Sequence, residues 1–431
     1  MKKMTIGRPV GEEDDGRSIS RRTRTTNDRQ SARTGRLDTG RRPPADQHGK
    51  GFSSRPVPLW YMGLEEEIRE IEDEIANTPY NKSTEAHIGR LKSKLAEKKE
   101  KFEKQQSGSG GGGGYSVEKH GDATVALVGF PSVGKSSLLN SLTNAESETG
   151  SYEFTTLDVN PGMLNHRGAN IQLLDVPGLI EGAATGKGDG KQVLAVVRNA
   201  DLIVFVLSVF EIDQYDRLQE ELYNINIRVD EEPPRVTVRP KIKDGIKITS
   251  SADQELDEET IKDVLRDQGY VNAVLNLQET LTIDRLIDGL MENREYIPSI
   301  TCVNKVDLIE PNYKETVDEQ LSERDLDPEE VTFISAEAEK GLDVLKDRIW
   351  EKLDLIRVYM DKPGRGVDWE EPLVVERGTT IGEAIEKLGG EMEERFRFAR
   401  ISGPSATHDE QQVGTDHVLE DEDVLKLILR R

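Results

Sequence analysis

Gly129-Phe130-Pro131-Ser132-Val133-Gly134-Lys135-Ser136 stands between an apolar run, Thr124–Val128, and a segment with Leu138, Leu139 and Leu142 at helical spacing. The octet fits G-x-x-x-x-G-K-[ST], and its flanks supply the strand–loop–helix context that the pattern requires. Backbone N–H groups and the amino terminus of the following helix would hold phosphates there. Lys135 offers a point charge to β and γ phosphates, and Ser136 a hydroxyl to Mg²⁺. Gly129, Phe130, Pro131, Ser132, Val133, Gly134, Lys135, Ser136 and Ser137 are the phosphate-loop candidates. From Ala123 onward short buried strands alternate with helices, which predicts an α/β domain built on a parallel-rich sheet.

The remaining parts of such a site follow in chain order. Ile171–Asp175 reads as a strand ending in an acid that reaches Mg²⁺ through water. Gly178, in Asp175-Val176-Pro177-Gly178, can present its N–H to a γ phosphate. In the polar loop Phe154-Thr155-Thr156, Thr156 is assigned as the direct Mg²⁺ ligand, with Thr155 the nearest alternative. Thr301-Cys302-Val303 is a strand followed at once by Asn304-Lys305-Val306-Asp307. A carboxylate at Asp307 accepts two hydrogen bonds from guanine N1–H and the 2-amino group, which adenine cannot offer. Lys305 would lay its methylene stem over the base. Ser335-Ala336-Glu337, after the strand Val331–Ile334, would bring the Ala336 N–H to guanine O6. Behind a phosphate loop this set predicts GTP binding, with Lys135, Thr156 and Gly178 as the catalytic candidates.

Length and composition bound the rest. The 431 residues suffice for two to four domains, with 35% apolar and 32% charged residues. The longest apolar run, Leu202–Phe210, falls far short of the roughly 20 residues of a membrane span, and no secretory-type apolar segment opens the chain. A cytoplasmic protein without a membrane partner is expected. The one cysteine, Cys302, excludes an intramolecular disulfide and a multi-cysteine zinc site, and the six histidines form no constellation with it. The net charge is −24, yet residues 1–61 hold 14 Lys/Arg against 7 Asp/Glu, so the remainder carries −31. Such acidity either repels nucleic acid or suits a salt-rich cytoplasm, where the Debye length shrinks to about 3 Å. The halophilic surface is the preferred reading, and no DNA partner is expected.

Residues 1–61 show no helical or strand period and read as a disordered basic extension, as an RNA-binding arm, or as a stretch upstream of the true start at Met62. Over 62–106, Leu64, Ile68, Ile71 and Ile75, then Ile88, Leu91, Leu95 and Phe102, have helical spacing around Thr78-Pro79-Tyr80-Asn81, which predicts a helical hairpin. Its second helix, Lys82–Lys104, has eight Lys/Arg against four Glu; RNA phosphates and salt bridges to the acidic partner helix explain it equally well. Residues 107–114 form a glycine-rich linker. The GTPase domain spans 115–356 with a small α+β insert at about 223–297, in which Val236, Val238 and Ile242, Asp244-Gly245, and Ile246 and Ile248 read as a β-hairpin and Ile261, Val264 and Leu265 as a helix. Residues 357–431 form a compact appended domain, where 11 Lys/Arg against 17 Asp/Glu argue against a broad phosphate-binding surface. Its alternating Arg395, Phe396, Arg397, Phe398 and Arg400 read as core and rim of a half-buried strand.

Gly178-Leu179-Ile180-Glu181-Gly182-Ala183, the run through Gly186, Gly188 and Gly190, and Gln192-Val193 resemble the Obg class of GTPases. With Thr78-Pro79-Tyr80-Asn81-Lys82 and the Gly129–Val133 loop, the similarity is to the developmentally regulated GTP-binding protein (DRG) family in its archaeal form. The insert between Gly178 and Asn304 and the terminal stretch Val413–Val424, which resembles the end of a TGS domain of β-grasp fold, fit the same family. The resemblance covers Met62 to Arg431. It implies a slow, Mg²⁺-dependent, ribosome-associated GTPase acting in translation on ribosome or rRNA, with a small stabilising protein partner. Leu179 stands where many small GTPases carry the glutamine that orients the attacking water, so another group must align it. Glu181 and Lys187 are possible helpers, and K⁺ is another. Some relatives hold K⁺ with a phosphate-loop asparagine at the position that here is Ser132. An Obg-like assembly factor and a nucleotide-sensing scaffold are the rival readings.

Overall fold

The computed structural model describes residues 59–107, 120–143, 160–176, 196–362 and 364–430. Thr155, Thr156, Gly178, Leu179, Glu181, Lys187 and all but the first residue of the 107–114 linker lie outside the described residues, as does nearly all of 1–61.

Two helices, α1 (Leu59–Asn77) and α2 (Glu85–Ser107), come first. The first begins three residues before the expected boundary at Met62, and the second begins at Glu85 because Asn81 and Thr84 close the intervening turn with their own side chains. The GTPase-type domain then runs β1 (Ala123–Val128), α3 (Lys135–Leu142), β2 (Asn160–His166), β3 (Ala169–Asp175), β4 (Leu202–Ser208), α4 (Gln214–Asn224) and β5 (Ile227–Val229). The insert holds β6 (Val236–Pro240), β7 (Ile246–Ser250), α5 (Glu258–Asp267), β8 (Ala273–Leu277) and α6 (Ile283–Leu290). After it come β9 (Glu295–Ile297), β10 (Ser299–Asn304), α7 (Tyr313–Ser322), β11 (Thr332–Phe333) and α8 (Leu342–Lys352).

The main sheet has the order β11-β10-β4-β1-β3-β2 and is parallel except for β2, which pairs antiparallel with β3. Every residue of β1 and β4 is buried, as expected of central strands covered on both faces. Along β4, Ile203, Phe205 and Leu207 enter one core while Leu202, Val204 and Val206 enter the other, the two-residue period of a strand between two helical layers. Parallel strands place their carboxyl ends together, so the loops after β1, β3, β10 and β11 share one edge, where open α/β sheets bind ligands.

The insert corrects the sequence reading. β6 and β7 do not form a hairpin: the three-stranded sheet has the order β6-β8-β7, with β8 antiparallel to β6 and parallel to β7. Asp244 and Gly245 do turn the chain, with φ of 82° and 69°. Asn272 then enters the gap, accepting from the Gly245 N–H at 2.8 Å through its side chain and from the Lys241 N–H at 2.8 Å through its carbonyl. A strand arriving thirty residues later thus takes the place between the two arms. The helix at Ile261, Val264 and Leu265 is present as α5, and with α6 it covers one face of the sheet.

The helical hairpin docks on this insert. Gly89 of α2 lies against Thr260, Val264 and Ile283. Ser93 and Gln268 bond at 2.8 Å, and Lys92 meets Asp284 at 2.6 Å. Lys98 and Lys99 pair with Glu67 and Glu72 of α1, while Lys82, Lys101 and Lys104 pair within their own segment. Seven of the eight basic residues from Lys82 to Lys104 thus pair with carboxylates, Arg90 with Asp263 among them. A buried triad closes the neck of the insert: Asp288 receives Arg228 at 2.6 and 2.8 Å and Arg294 at 2.6 Å.

The last domain is β12 (Leu355–Lys362), β13 (Gly366–Val367), β14 (Leu373–Glu376), α9 (Ile381–Leu388), α10 (Gly390–Arg395), β15 (Phe396–Ser402), β16 (Gln411–Val413) and β17 (Asp423–Leu429). Its centre is the parallel pair β12–β17, flanked antiparallel by β14 and β15 with α9 across them, a β-grasp arrangement. Thr380 and Glu383 form a capping box that starts α9. Arg397 and Arg400 point outward while Ala399 and Ile401 are fully buried, so this strand is core and rim as expected. No linker separates the domains: Leu355 packs into the GTPase core and its neighbour Ile356 into the β-grasp core.

Candidate functional site

The loop from Gly129 to Gly134 folds as its residue types dictate. A Cβ on Gly129 would lie 2.4 Å from the Val206 carbonyl oxygen, and one on Gly134 would lie 2.4 Å from Asn304 Nδ2. Gly134 has φ +99°, and Ser132 also takes a left-handed φ of 65°. Gly134 is the N-cap of α3 and supplies no side-chain cap, so the first N–H groups of that helix face the loop without a protein acceptor from the cap. Such an end attracts an anion through both its free donors and its dipole.

Lys135 lies under this loop. Its Nζ donates to the carbonyls of Gly129 at 2.9 Å and Phe130 at 3.2 Å. Burial pushes the ammonium pKa down, and the nearby Asp175 carboxylate opposes that shift. Ser136 Oγ donates to Asp175 Oδ2 at 2.5 Å. The other carboxylate oxygen, Asp175 Oδ1, is buried and has no hydrogen-bond partner among the described residues. A buried anionic oxygen without a partner is costly. Beside a hydroxyl oxygen it suits a hard divalent cation, which takes oxygen ligands. Among the described residues no cluster of three His, Cys, Asp or Glu side chains could hold a metal.

Asn304 joins the two halves of the site. It is buried at the end of β10; its Nδ2 donates to the Val133 carbonyl at 2.9 Å, and its Oδ1 accepts from the N–H groups of Lys305 at 2.8 Å and Ala336 at 3.0 Å. One side chain thus ties the loop after β1 to those after β10 and β11. Lys305, with φ 70°, crosses over to donate from Nζ to the Ser132 carbonyl at 2.6 Å. Asp307 sits exposed in the 3₁₀ turn Val306–Leu308. Ser335 is fully buried and braces its own loop by accepting from the Ala338 N–H at 3.0 Å.

Of the residues singled out in the sequence, Gly129–Ser137, Asp175, Asn304, Lys305, Asp307, Ser335, Ala336 and Glu337 lie in the loops at one edge of the sheet or in the element that follows each. Thr156 and Gly178 fall outside the described residues. Asn304 Oδ1 accepts from the Ala336 N–H, the donor that the sequence reading directs to guanine O6. The bracing role of Asn304 carries no sequence signal beyond its place in the N-K-x-D motif. The turn after β4 brings Phe210 near Tyr313, ring centroids 6.5 Å apart, with Phe210 54% and Leu308 62% exposed beside Asp307. Sequence reasoning gave these apolar groups no part.

The profile of the 50S ribosome-binding GTPase family matches residues 124–241, that of the C-terminal region of the MMR_HSR1 domain residues 243–355, and that of the TGS domain residues 356–429. An uncharacterized GTP-binding protein of Halobacterium salinarum is 68% identical over 370 residues, covering 86% of this chain and all of the relative. One from Methanocaldococcus jannaschii is 47% identical over 86% of this chain and 94% of its own length. The developmentally-regulated GTP-binding protein 1 homolog of Dictyostelium discoideum is 42% identical over 85% of this chain and its own full length.

Proposed function

The chain belongs to the developmentally regulated GTP-binding protein family of GTPases, and from that premise we propose that it works as a Mg²⁺-dependent switch on the ribosome, in translation. The observation that carries the site assignment is the buried Asp175 Oδ1, without a hydrogen-bond partner among the described residues, beside Ser136 Oγ at the foot of a loop whose lysine is turned inward. Triphosphate oxygens would replace the Gly129 and Phe130 carbonyls as partners of Lys135, and the N–H groups of Gly134 to Ser136 would bind the β phosphate. Mg²⁺ at Ser136, with Asp175 reached through water and Thr156 from the switch loop, would neutralise charge developing on the γ phosphate.

Asp307 would accept from guanine N1–H and the 2-amino group, and Lys305 would cover the base. Guanine O6 would share the Ala336 N–H with Asn304 or take that of Glu337. Lys135, Thr156 and Gly178 would respond to the γ phosphate, ordering their loops with GTP and releasing them after hydrolysis. No side chain at position 179 can orient the attacking water, so a ribosomal group, a protein partner or K⁺ near Ser132 would align it. The domain limits proposed are 62–106 for the hairpin, 107–114 for a linker, 115–356 for the GTPase domain with its insert, and 357–431 for the β-grasp domain. No described helix is long and apolar enough to cross a membrane, and a cytoplasmic site in a salt-rich cell suits the acidic surface.

The test is GTP hydrolysis by the full chain in molar KCl, with and without ribosomes from a salt-tolerant source, and with NaCl in place of KCl. Stimulation by ribosomes supports the translational reading. GTP-dependent ribosome binding without stimulation favours a nucleotide-sensing scaffold. Neither stimulation nor binding removes the ribosome from the proposal and leaves the GTP site.

A further inference from the structure

The outer face of the insert's sheet is a basic surface in an acidic protein. Between Arg235 and Lys247 the chain carries Arg235, Arg239, Lys241, Lys243 and Lys247 against one carboxylate, Asp244, in a molecule of net charge −24. Elsewhere most described cations find a carboxylate; Lys92, Lys99, Arg266, Arg285 and Lys387 are examples. Arg239, Lys241, Lys243 and Lys247 form no salt bridge among the described residues, and all four are exposed. The register fixes their arrangement: Arg239 and Lys247 flank the same residue of β8, Val274, while Thr237 and Thr249 flank Asn276. Lys241 and Lys243 extend the row into the turn at the end of the sheet. The opposite face holds Val238, Ile246, Ile248 and Leu275 against α5 and α6, so the cations cannot rotate inward.

We propose that this sheet face is a docking surface for RNA, gripping its phosphodiester backbone through Arg239, Lys241, Lys243 and Lys247. The proposal deepens the ribosomal reading above and rests on it for its setting. Protein interfaces centre on desolvated aromatic or aliphatic anchors, and the centre of this face offers only cations, hydroxyls, an amide and the half-buried Val274. Ile242 and Val271 are exposed at its tip, away from that centre. Nucleic-acid interfaces, by contrast, are polar and positively charged. Strands hold cations two residues apart at about 6.8 Å and two strands apart at about 9.6 Å. Such fixed spacing suits contact pairing, which alone survives a Debye length of about 3 Å in molar salt. The adverse field of the surrounding carboxylates is screened under the same conditions.

The experiment measures binding of the full chain to a fluorescein-labelled 20-nucleotide single-stranded RNA by anisotropy across a KCl series. Three proteins are compared: the parent, a strip variant (Arg239→Gln, Lys241→Gln, Lys243→Gln, Lys247→Gln), and a control with the same charge change (Arg69→Gln, Arg217→Gln, Arg365→Gln, Arg430→Gln). The basic residues before position 62 are common to all three and contribute equally. Each phosphate contact on a single strand adds about −0.7 to the slope of log K against log salt, so the strip variant should lose about 2.8 from the parent's slope. The control should keep it, and GTP binding should be equal in all three. Equal slopes in parent and strip variant, or an equal loss in the control, overturns the proposal. So does poly-glutamate competing as well as the RNA itself, which would assign the face to an acidic protein. A strip variant that loses RNA but keeps ribosome-stimulated hydrolysis removes the face from the ribosomal contact and leaves the ribosomal reading standing.

Discussion

Replacing Asn304 by alanine removes one side chain and three hydrogen bonds: to the Val133 carbonyl at 2.9 Å, from the Lys305 N–H at 2.8 Å and from the Ala336 N–H at 3.0 Å. Val133 is fully buried and Ala336 nearly so, and a buried polar group left without a partner costs about 1–3 kcal/mol. The half-buried Lys305 N–H regains water and adds about 0.5–1 kcal/mol. The variant should therefore lose about 2.5–7 kcal/mol of unfolding free energy, a large part of the roughly 5–15 kcal/mol typical of a domain. The loss is read from urea unfolding of the nucleotide-free protein in molar KCl, followed by the fluorescence of Trp350, buried in the same core. A loss below about 1 kcal/mol would show that Asn304 does not brace the three loops. Asn304→Asp sharpens the test, because it keeps the Oδ1 acceptor but sets a carboxylate oxygen against the Val133 carbonyl. Protonation restores a donor there, so the carboxyl's folded-state pKa is raised, and the deficit of this variant should shrink as pH falls. A deficit that grows at low pH contradicts the assigned orientation of the amide.

Lys135→Met should abolish GTP binding while leaving nucleotide-free stability equal to or above the parent's, because it removes a buried charge. The folded-state pKa of Lys135 is lowered by desolvation, so between that value and the unfolded value the unfolded chain binds more protons; the parent's penalty is full below this window and fades as pH rises through it, measurable as converging denaturation midpoints at alkaline pH. Asp307→Asn should raise the Kd for GTP at least tenfold relative to ATP, since two hydrogen bonds to a charged acceptor are each worth about 1.5–3 kcal/mol; unchanged preference in a competition assay would remove Asp307 from base recognition. Asp288→Asn leaves Arg228 and Arg294 buried without their carboxylate and should cost about 3–5 kcal/mol in denaturant unfolding. Cys302 is fully buried and its thiol is pushed up to about 12 by desolvation; a thiol reagent at pH 8 should label it only at the rate of unfolding, and prompt labelling would contradict its placement.

The parts of the site that are contiguous in sequence were legible there, because their chemistry depends on local spacing. A glycine-rich turn between a strand and a helix, and a carboxylate three residues after an asparagine, are such patterns. The strands β1, β3 and β10 were legible for the same reason. Contacts between distant segments were not. Asp244-Gly245 carries the local signal of a hairpin, yet Asn272 supplies the partner strand, and no window around residue 244 contains it. The even choice for the basic helix turned on partners such as Asp284, which lies 192 residues away from Lys92. The triad at Asp288 joins residues from β5, α6 and the segment just before β9, none unusual alone. Asn304 was legible as a nucleotide contact, but its hold on Val133 depends on how two crossovers bring separate loops together.

The docking of the helical hairpin on the insert sets an order of events during synthesis. The hairpin leaves the ribosome early, whereas the helices it packs against are made almost two hundred residues later, as the 192-residue separation of Lys92 and Asp284 records. At about 5–20 residues per second the wait is roughly 10–40 s. During that time the face of Ile88, Leu91 and Gly89 has no partner from the insert. The ion pairs between α1 and α2 need no later residue, so the two helices can hold each other in water while the rest of the chain is made. The charge density of this segment then serves a nascent chain, keeping an unfinished surface from joining another copy of itself until the insert arrives to cover it.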